Sequence, residues 1–462
     1  MPDQTARSSA AAQISRTRLA ELIGRERADY RSRNPRSAQA YTAAADHLLG
    51  GVPMTWMRMW SGGFPLYLAS ATGARLTDID GHEYIDFCLG DTGAMAGHSP
   101  AVVQDALARR YGEQGGATTM LPTQDAAWVA AELTRRFGAT HWSFTLTATD
   151  ANRWAIRLAR QLTSRPKILV YSYCYHGSVD ETFIVDTAQG PASRVGNVGA
   201  PVDPRVTTRV VEFNDPDALE RELAHGDMAA VLMEPALTNI GIVLPEPGYL
   251  DAVRELTKQH GTVLINDETH TFSAGPGGCT SAWQLTPDIV TIGKSIAGGI
   301  PAGAYGLSTE LAERILSDKS ADIEDTGGVG GTLAGNALSV AAMRATLEYV
   351  LTDAAFEQMI AVADRYTAGV REVLNSRALP WVITQLGARA EYRFCPTPPR
   401  NGGESEAAAD TDLDEYLHLF LVNRGVLLTP FHNMALMCPS TAFADVDVHT
   451  KIFADAADDL LR

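Results

Sequence analysis

The sequence is poor in basic residues and in cysteine. Its 462 residues include 38 Lys and Arg against 55 Asp and Glu, a formal net charge of −17. Nucleic acids and anionic membrane surfaces are bound by clustered cations, so we expect neither as a partner. The five cysteines are scattered and form no Cys-x-x-Cys pair, which argues against a disulfide framework and a zinc site. We therefore expect a cytoplasmic protein without a metal.

Other common signals are also missing. No apolar run reaches the length of a transmembrane helix, and the first residues lack the apolar segment of a secretion signal, so we expect neither anchoring nor export. The patterns G-x-G-x-x-G after a first strand, G-x-x-x-x-G-K-[ST] and G-x-S-x-G do not occur. Their absence weakens one alternative, a nucleotide-binding α/β enzyme.

The order of apolar segments predicts the fold. From about residue 124, helical patterns alternate with short β-branched runs, which is typical of a mostly parallel sheet with helices on both faces. We predict an α/β protein in three segments. Residues 1–98 form helices and a hairpin of a small lobe, 99–345 form the large domain, and 346–462 form the rest of a smaller α+β domain.

Two predicted strands of the large domain each end in a charged residue. Residues 262–265 lead to Asp267, and residues 289–292 lead to Lys294 and a glycine-rich loop. A charge at the end of a buried strand is costly unless it has a partner or a function. Desolvation favours the neutral amine of a lysine, a nucleophile that forms Schiff bases. Pyridoxal phosphate reacts with such a lysine and needs a carboxylate near its ring nitrogen. For either residue alone, a capping Asp or a solvent-facing Lys is the alternative.

This segment resembles the core of the class III, fold type I, pyridoxal-phosphate-dependent aminotransferases, especially the branch of glutamate-1-semialdehyde aminotransferase. The likeness rests on an Asp-Glu pair after one strand and on Gly-Lys followed by Gly-Gly after another, at 267–268, 293–294 and 298–299. It implies a fold type I architecture, with Lys294 as the catalytic Schiff-base lysine and Asp267 at the ring nitrogen. Where the family usually has Val-Met-Thr, this chain has Thr269, His270 and Thr271. The resemblance implies that Thr269 packs on the cofactor ring, and the role of His270 stays open.

The resemblance spans about residues 45–440 and implies further cofactor contacts. Tyr175 and His176 lie in a Cys-Tyr-His-Gly motif whose tyrosine stacks on the ring in the family. Thr147, Ala148 and Thr149 stand where the family has Ser-Gly-Thr, at a helix start whose backbone N–H groups suit a phosphate.

Two more motifs complete the predicted site. Glu234 before a proline, and Asn239 after it, match family residues near the phenolic edge of the cofactor. Thr332 lies in a Gly-Thr-x-x-Gly-Asn motif, whose threonine serves the phosphate of the neighbouring subunit in the family. The resemblance therefore implies a homodimer with shared active sites.

The substrate is predicted from the residues before the first hairpin. Relatives that act on β-amino acids or amino-acid semialdehydes have an arginine there, and Arg58 takes that place. A second arginine of the β-amino-acid enzymes is missing from 429–433, so Trp56, Trp60 and Phe431 are predicted to line an apolar pocket. We predict a transaminase that moves an amino group from an amine or (β-)amino acid to a keto acid such as pyruvate or 2-oxoglutarate. The alternatives are intramolecular transfer of the glutamate-1-semialdehyde aminomutase type and, more remotely, a non-catalytic binding protein on the same fold.

Overall fold

The computed structural model describes residues 14–200, 202–317 and 329–462. Its α-helices are α1 (Arg16–Arg33), α2 (Pro35–Ala44), α3 (Ala101–Ala108), α4 (Gln124–Phe137), α5 (Ala148–Thr163), α6 (Pro204–Thr207), α7 (Pro216–Leu223), α8 (Tyr249–Gln259), α9 (Gly278–Ala282), α10 (Thr309–Ser317), α11 (Ala337–Tyr349), α12 (Asp353–Ser376), α13 (Gly402–Ala407), α14 (Thr411–Val422) and α15 (Phe443–Leu461). Its strands are β1 (Leu68–Thr72), β2 (Arg75–Asp78), β3 (Glu83–Asp86), β4 (His141–Thr145), β5 (Lys167–Tyr171), β6 (Ile184–Val185), β7 (Ala192–Ser193), β8 (Thr208–Val211), β9 (Met228–Met233), β10 (Val263–Asp267), β11 (Ile289–Gly293), β12 (Gly303–Leu307), β13 (Val382–Leu386), β14 (Arg389–Arg393), β15 (Val426–Leu427) and β16 (Met434–Leu436).

The largest sheet among the described residues has seven strands in the order β4-β12-β11-β10-β9-β5-β8. The five strands from β11 to β8 pair in parallel, and β12 and β4 add an antiparallel edge. β9, β10 and β11 are buried along their whole length, as their continuous apolar sequence predicts for strands covered on both faces. The predicted α/β class with a mostly parallel large sheet is confirmed.

The N-terminal and C-terminal parts of the chain share a second sheet. The hairpin strands β1, β2 and β3 are joined by β15, which pairs in parallel with β3. A third sheet contains β13, β14 and β16, and α12 packs against β13 and α15. The three predicted segment boundaries stay a prediction.

Several element limits differ from the prediction. The helix expected from about residue 100 to 114 is α-helical only to Ala108 and continues as a π-helical turn, Arg109–Gln114. The polar loop expected over 396–412 contains α13, because the Asn401 side chain accepts a hydrogen bond from the Glu404 N–H and caps the helix. The predicted break at Asn34 and Pro35 is present, and Pro35 starts α2.

The described ranges lack two features. No helix there is long and apolar enough to cross a membrane. In the same ranges, no group of three or more His, Cys, Asp or Glu side chains is placed to hold a metal ion.

Candidate active site

The parallel pairing of β10 and β11 places the two predicted key residues at the same edge of the sheet. Asp267, the last residue of β10, lies opposite Thr291 of β11, two residues before Gly293. A Cβ on Gly293 would come within 2.8 Å of the Ala148 backbone nitrogen, so β11 ends in close contact with the start of α5. Lys294 follows with a φ of 52°, a left-handed conformation that is uncommon for a residue with a side chain.

Asp267 is held as a buried carboxylate. Its side chain accepts hydrogen bonds from Asn152 Nδ2 at 2.7 Å, His176 Nδ1 at 2.9 Å and the Thr269 backbone N–H at 3.1 Å. Burial raises the pKa of the Asp267 carboxyl, but the hydrogen bond and charge of His176 outweigh burial and hold this pKa below its ordinary value. The site therefore offers an anion where a protonated ring nitrogen needs one.

His176 acts on the site through its hydrogen bond to Asp267. Burial lowers the pKa of His176, but the neighbouring Cys174 and the Asp267 carboxylate raise it well above its ordinary value. Its other ring nitrogen, Nε2, is buried without a hydrogen-bond partner among the described residues. His176 thus fixes the charge and the orientation of Asp267.

Lys294 is less buried than the sequence predicted, because 26% of its side chain is exposed. Its Nζ lies 2.8 Å from Asp91 Oδ2, 2.9 Å from the Asp91 carbonyl oxygen and 2.9 Å from His270 Nε2. Burial raises the pKa of Asp91, but the neighbouring cationic groups, Lys294 first among them, bring it far below its usual range. The prediction of a lysine activated by desolvation alone is therefore corrected, since this amine has an anionic partner.

The predicted aromatic wall is formed only in part. The Trp56 ring lies 5.3 Å from the Tyr175 ring and 5.4 Å from the Phe431 ring, measured between centroids. Burial, together with the nearby Asp91 carboxylate, raises the pKa of Tyr175. The three rings thus form one side of the site.

Two predicted substrate residues lie elsewhere. Trp60 packs against a separate apolar cluster that includes Tyr30 and Tyr84. Arg58 is exposed, and its guanidinium lies along Gly50. The described chain therefore does not bring Trp60 or Arg58 to the aromatic wall.

The start of α5 lies where a phosphate cup was predicted, and the cup stays a prediction. Thr147 is the N-cap, with its hydroxyl oxygen accepting a hydrogen bond from the Asp150 N–H at 3.2 Å. The Thr149 hydroxyl oxygen accepts one from the Ser178 N–H at 3.1 Å. These hydroxyls brace the turn, while the free N–H groups and positive dipole end of the 16-residue helix suit an anion.

Glu234 and Asn239 support the loop that carries Tyr175. Glu234 accepts hydrogen bonds from the Thr238 N–H at 3.1 Å and the Tyr175 N–H at 3.4 Å. Asn239 Nδ2 donates to the Tyr173 carbonyl oxygen at 3.1 Å. Thr332 is exposed in a groove beside the first turns of α5.

Sequence reasoning missed Asp91 and Arg389. Asp91 lies in a tight turn between Gly90 and Gly93 and has a positive φ of 49°. Arg389 begins β14 with its side chain fully buried, and its Nη2 lies 2.9 Å from His270 Nδ1. β14 has three charged residues, Arg389, Glu391 and Arg393, so no local pattern singled out Arg389, whose partners lie far away in the sequence.

Pyridoxal phosphate fits these residues. Asp267 supplies the anion for a ring nitrogen, Tyr175 supplies an aromatic face, and α5 supplies donors for a phosphate. The Thr269 hydroxyl is buried without a hydrogen-bond partner in the described part of the chain. An unsatisfied polar group beside Asp267 indicates that another polar molecule completes this site.

The fold and the site together define an enzyme of the fold type I, pyridoxal-phosphate-dependent class. A family model described as aminotransferase class-III matches residues 57–454. The chain belongs to the class III aminotransferases, and the predicted family, enzyme class and cofactor are confirmed.

Several similar proteins carry the aminomutase name, and others are transaminases. A glutamate-1-semialdehyde 2,1-aminomutase of Chloroflexus aggregans is 33% identical over 435 residues, covering 90% of this chain and 96% of the relative. The crystal structure of a glutamate-1-semialdehyde-aminomutase from Pseudomonas aeruginosa PAO1 is 49% identical, covers 97% of this chain and 99% of that chain, and has a TM-score of 0.94. The crystal structure of an omega-transaminase from Sphaerobacter thermophilus is 29% identical, covers 92% of this chain and 97% of that chain, and has a TM-score of 0.83.

Proposed function

We propose that this chain moves an amino group between adjacent carbons of one small molecule, an amino aldehyde of the glutamate-1-semialdehyde type. Relatives that carry the aminomutase name over nearly the full chain support this alternative better than our first prediction of a transaminase with an external keto acid. The observation that carries the amino-transfer chemistry is the placement of Lys294 and Asp267 at one edge of the large sheet.

Each residue of the site has a separate role in this reaction. Bound pyridoxal phosphate supplies an aldehyde that exchanges amines and a ring that accepts electrons. Lys294 holds the cofactor by its Nζ and then carries the proton to and from the amine-bearing carbon of the substrate. Asp267 keeps a proton on the ring nitrogen, and His176 keeps Asp267 ionised. Asp91 orients the Lys294 amine.

One experiment separates the proposal from its rival. The purified enzyme is given glutamate-1-semialdehyde with and without pyruvate or 2-oxoglutarate, and the amino product is measured. We expect conversion at the same rate in both cases, because intramolecular transfer uses no external acceptor. Conversion that requires the keto acid would contradict the proposal.

Borohydride reduction and peptide mapping should place the cofactor label on Lys294, and a label on another lysine would contradict its role.

A transaminase acting on apolar amines is the second candidate. The contact of Trp56 with Tyr175 and Phe431 favours it, because three aromatic rings offer an apolar wall beside the lysine. A panel of apolar amines and β-amino acids tests this candidate directly. Bleaching of the yellow enzyme by these amines, together with no turnover of the semialdehyde, would favour the transaminase.

We further propose a homodimer in the cytoplasm. Large apolar side chains are exposed in the described chain, including Leu49 at 95%, Met120 at 80% and Leu121 at 72%. Exposed apolar residues of this size support a protein interface. The exposed Thr332 is then available to a second copy of the chain, as the family resemblance implies.

A further inference from the structure

We infer that His270 donates a hydrogen bond from Nε2 to the Lys294 amine, and that Arg389 is the positioning residue that selects this tautomer of His270. The inference concerns the proposed cofactor-binding lysine and so rests on the proposed function. It gives a role to His270, which the sequence left open.

The hydrogen-bond geometry fixes the tautomer. Arg389 Nη2 lies 2.9 Å from His270 Nδ1, and a guanidinium has donors but no acceptor. Nδ1 must therefore accept. The Thr92 hydroxyl, 3.1 Å from the same nitrogen, is compatible with this, since a hydroxyl can donate as well as accept. A neutral imidazole with an accepting Nδ1 carries its proton on Nε2.

The histidine is neutral in this environment. Burial, with the Arg389 charge acting in the same direction, lowers the pKa of His270 well below its ordinary value. The charged and titratable groups around it are Lys294, Asp91, Arg389 and His432. Three of these four groups are cations or can become cations, so a second proton on the ring is disfavoured.

The proton on Nε2 points at the lysine. Lys294 Nζ lies 2.9 Å from His270 Nε2, and two further contacts join it to the Asp91 carboxylate and carbonyl oxygens. A neutral amine has two N–H donors and one lone pair, which matches two contacts to Asp91 and one accepted bond from His270. An ammonium group has three donors, and its third N–H would face the Nε2–H.

Arg389 keeps the alternative arrangement from forming. If His270 moved its proton to Nδ1, this proton would face the Arg389 guanidinium, whose Nη2 also donates to Thr92. The Arg389 side chain is only 1% exposed and cannot turn to solvent. The free amine of Lys294, which can accept the hydrogen bond from His270, is the nucleophile that captures the cofactor.

The tautomer can be measured directly in the full-length protein freed of cofactor. Long-range ¹H–¹⁵N spectra of the ¹⁵N-histidine-labelled chain distinguish the two tautomers, and the signal missing in His270→Gln identifies His270. We expect a protonated Nε2 and an accepting Nδ1 at neutral pH. A proton on Nδ1, or on both nitrogens, would overturn the inference whatever the enzyme's substrate.

The effect on Lys294 is measured by the rate at which the cofactor-free chain takes up pyridoxal phosphate at each pH. In Arg389→Met the pH of half-maximal rate should rise on the order of one unit, because His270 can then accept from an ammonium group. Arg389→Lys keeps a donor and should restore part of the shift. His270→Leu removes the N–H donor without offering an acceptor and should give a smaller rise than Arg389→Met, and His270→Gln, which keeps an N–H donor, should give the smallest.

These results separate the inference from the proposed function. Unchanged pH profiles in both Arg389→Met and His270→Leu would refute the inference. If Arg389→Met does not fold, the His270 pair decides the question, with circular dichroism as the check on folding. Failure of Lys294 to take up cofactor at any pH would instead refute the proposed function.

Discussion

Glu268, the neighbour of Asp267, makes a testable contribution to the stability of the site. It is fully buried and accepts hydrogen bonds from the Thr271 hydroxyl at 2.5 Å, the Cys279 N–H at 3.0 Å, and both the N–H and the hydroxyl of Thr280 at 2.5 Å. A Cβ on Gly278 would lie 2.2 Å from its Oε2, so the loop closes tightly over this carboxylate. Glu268 thus holds the start of α9 close to the end of β10, the strand that carries Asp267.

The substitution Glu268→Gln should destabilise the protein by about 1–3 kcal/mol. Each carboxylate oxygen accepts from one backbone N–H and one hydroxyl. In either orientation the new NH₂ group faces one backbone donor, and that donor is left unsatisfied. The threonine hydroxyl next to that backbone donor can rotate and accept a hydrogen bond from the new NH₂ group. The glutamine removes the cost of burying a charge, and this gain offsets the weaker hydrogen bonds that its neutral amide accepts.

Urea unfolding of the full chain, followed by circular dichroism and tryptophan fluorescence, measures this loss. Glu313→Gln, at an exposed position of α10, is the matched control and should leave the unfolding free energy within about 0.5 kcal/mol of the wild type. If Glu268→Gln is as stable as this control, the account of Glu268 as a carboxylate held by four donors is wrong.

Two further predictions concern pH and assembly. Burial, together with the nearby Glu391, raises the pKa of Asp414 to about 6, while the hydrogen bond from Asn433 lowers it. Because the folded pKa lies above the ordinary value, the stability that Asp414 contributes is complete below about pH 4 and is lost as the pH rises through 6. Asp414→Asn should therefore be more stable than the wild type by about 3 kcal/mol at pH 8 and equal to it near pH 4 in thermal unfolding. Thr332→Ala should weaken cofactor retention without changing the helix content, and light scattering should show a dimer for both proteins, whereas a fully active monomer would contradict the proposed shared site.

The sequence determined the class of fold and the main groups of the site, because both depend on local patterns. Continuous β-branched runs between helices specify buried parallel strands, and a parallel sheet brings the ends of β10 and β11 to one edge. The sequence alone therefore predicted that Asp267 and Lys294 lie together. The helix start at Thr147, Ala148 and Thr149 is also local and was placed correctly.

Only the tertiary structure decided which groups surround these residues. Asp91 and Arg389 meet at His270 although they stand 298 positions apart, and no local pattern links a turn after β3 to the first residue of β14. Trp56 and Trp60 are four residues apart and were predicted to share a pocket, but the short helical turn at Thr55–Arg58 sends them to different clusters. Sequence periodicity fixes which face of an element is buried, whereas the partner of a buried charge depends on how distant elements pack.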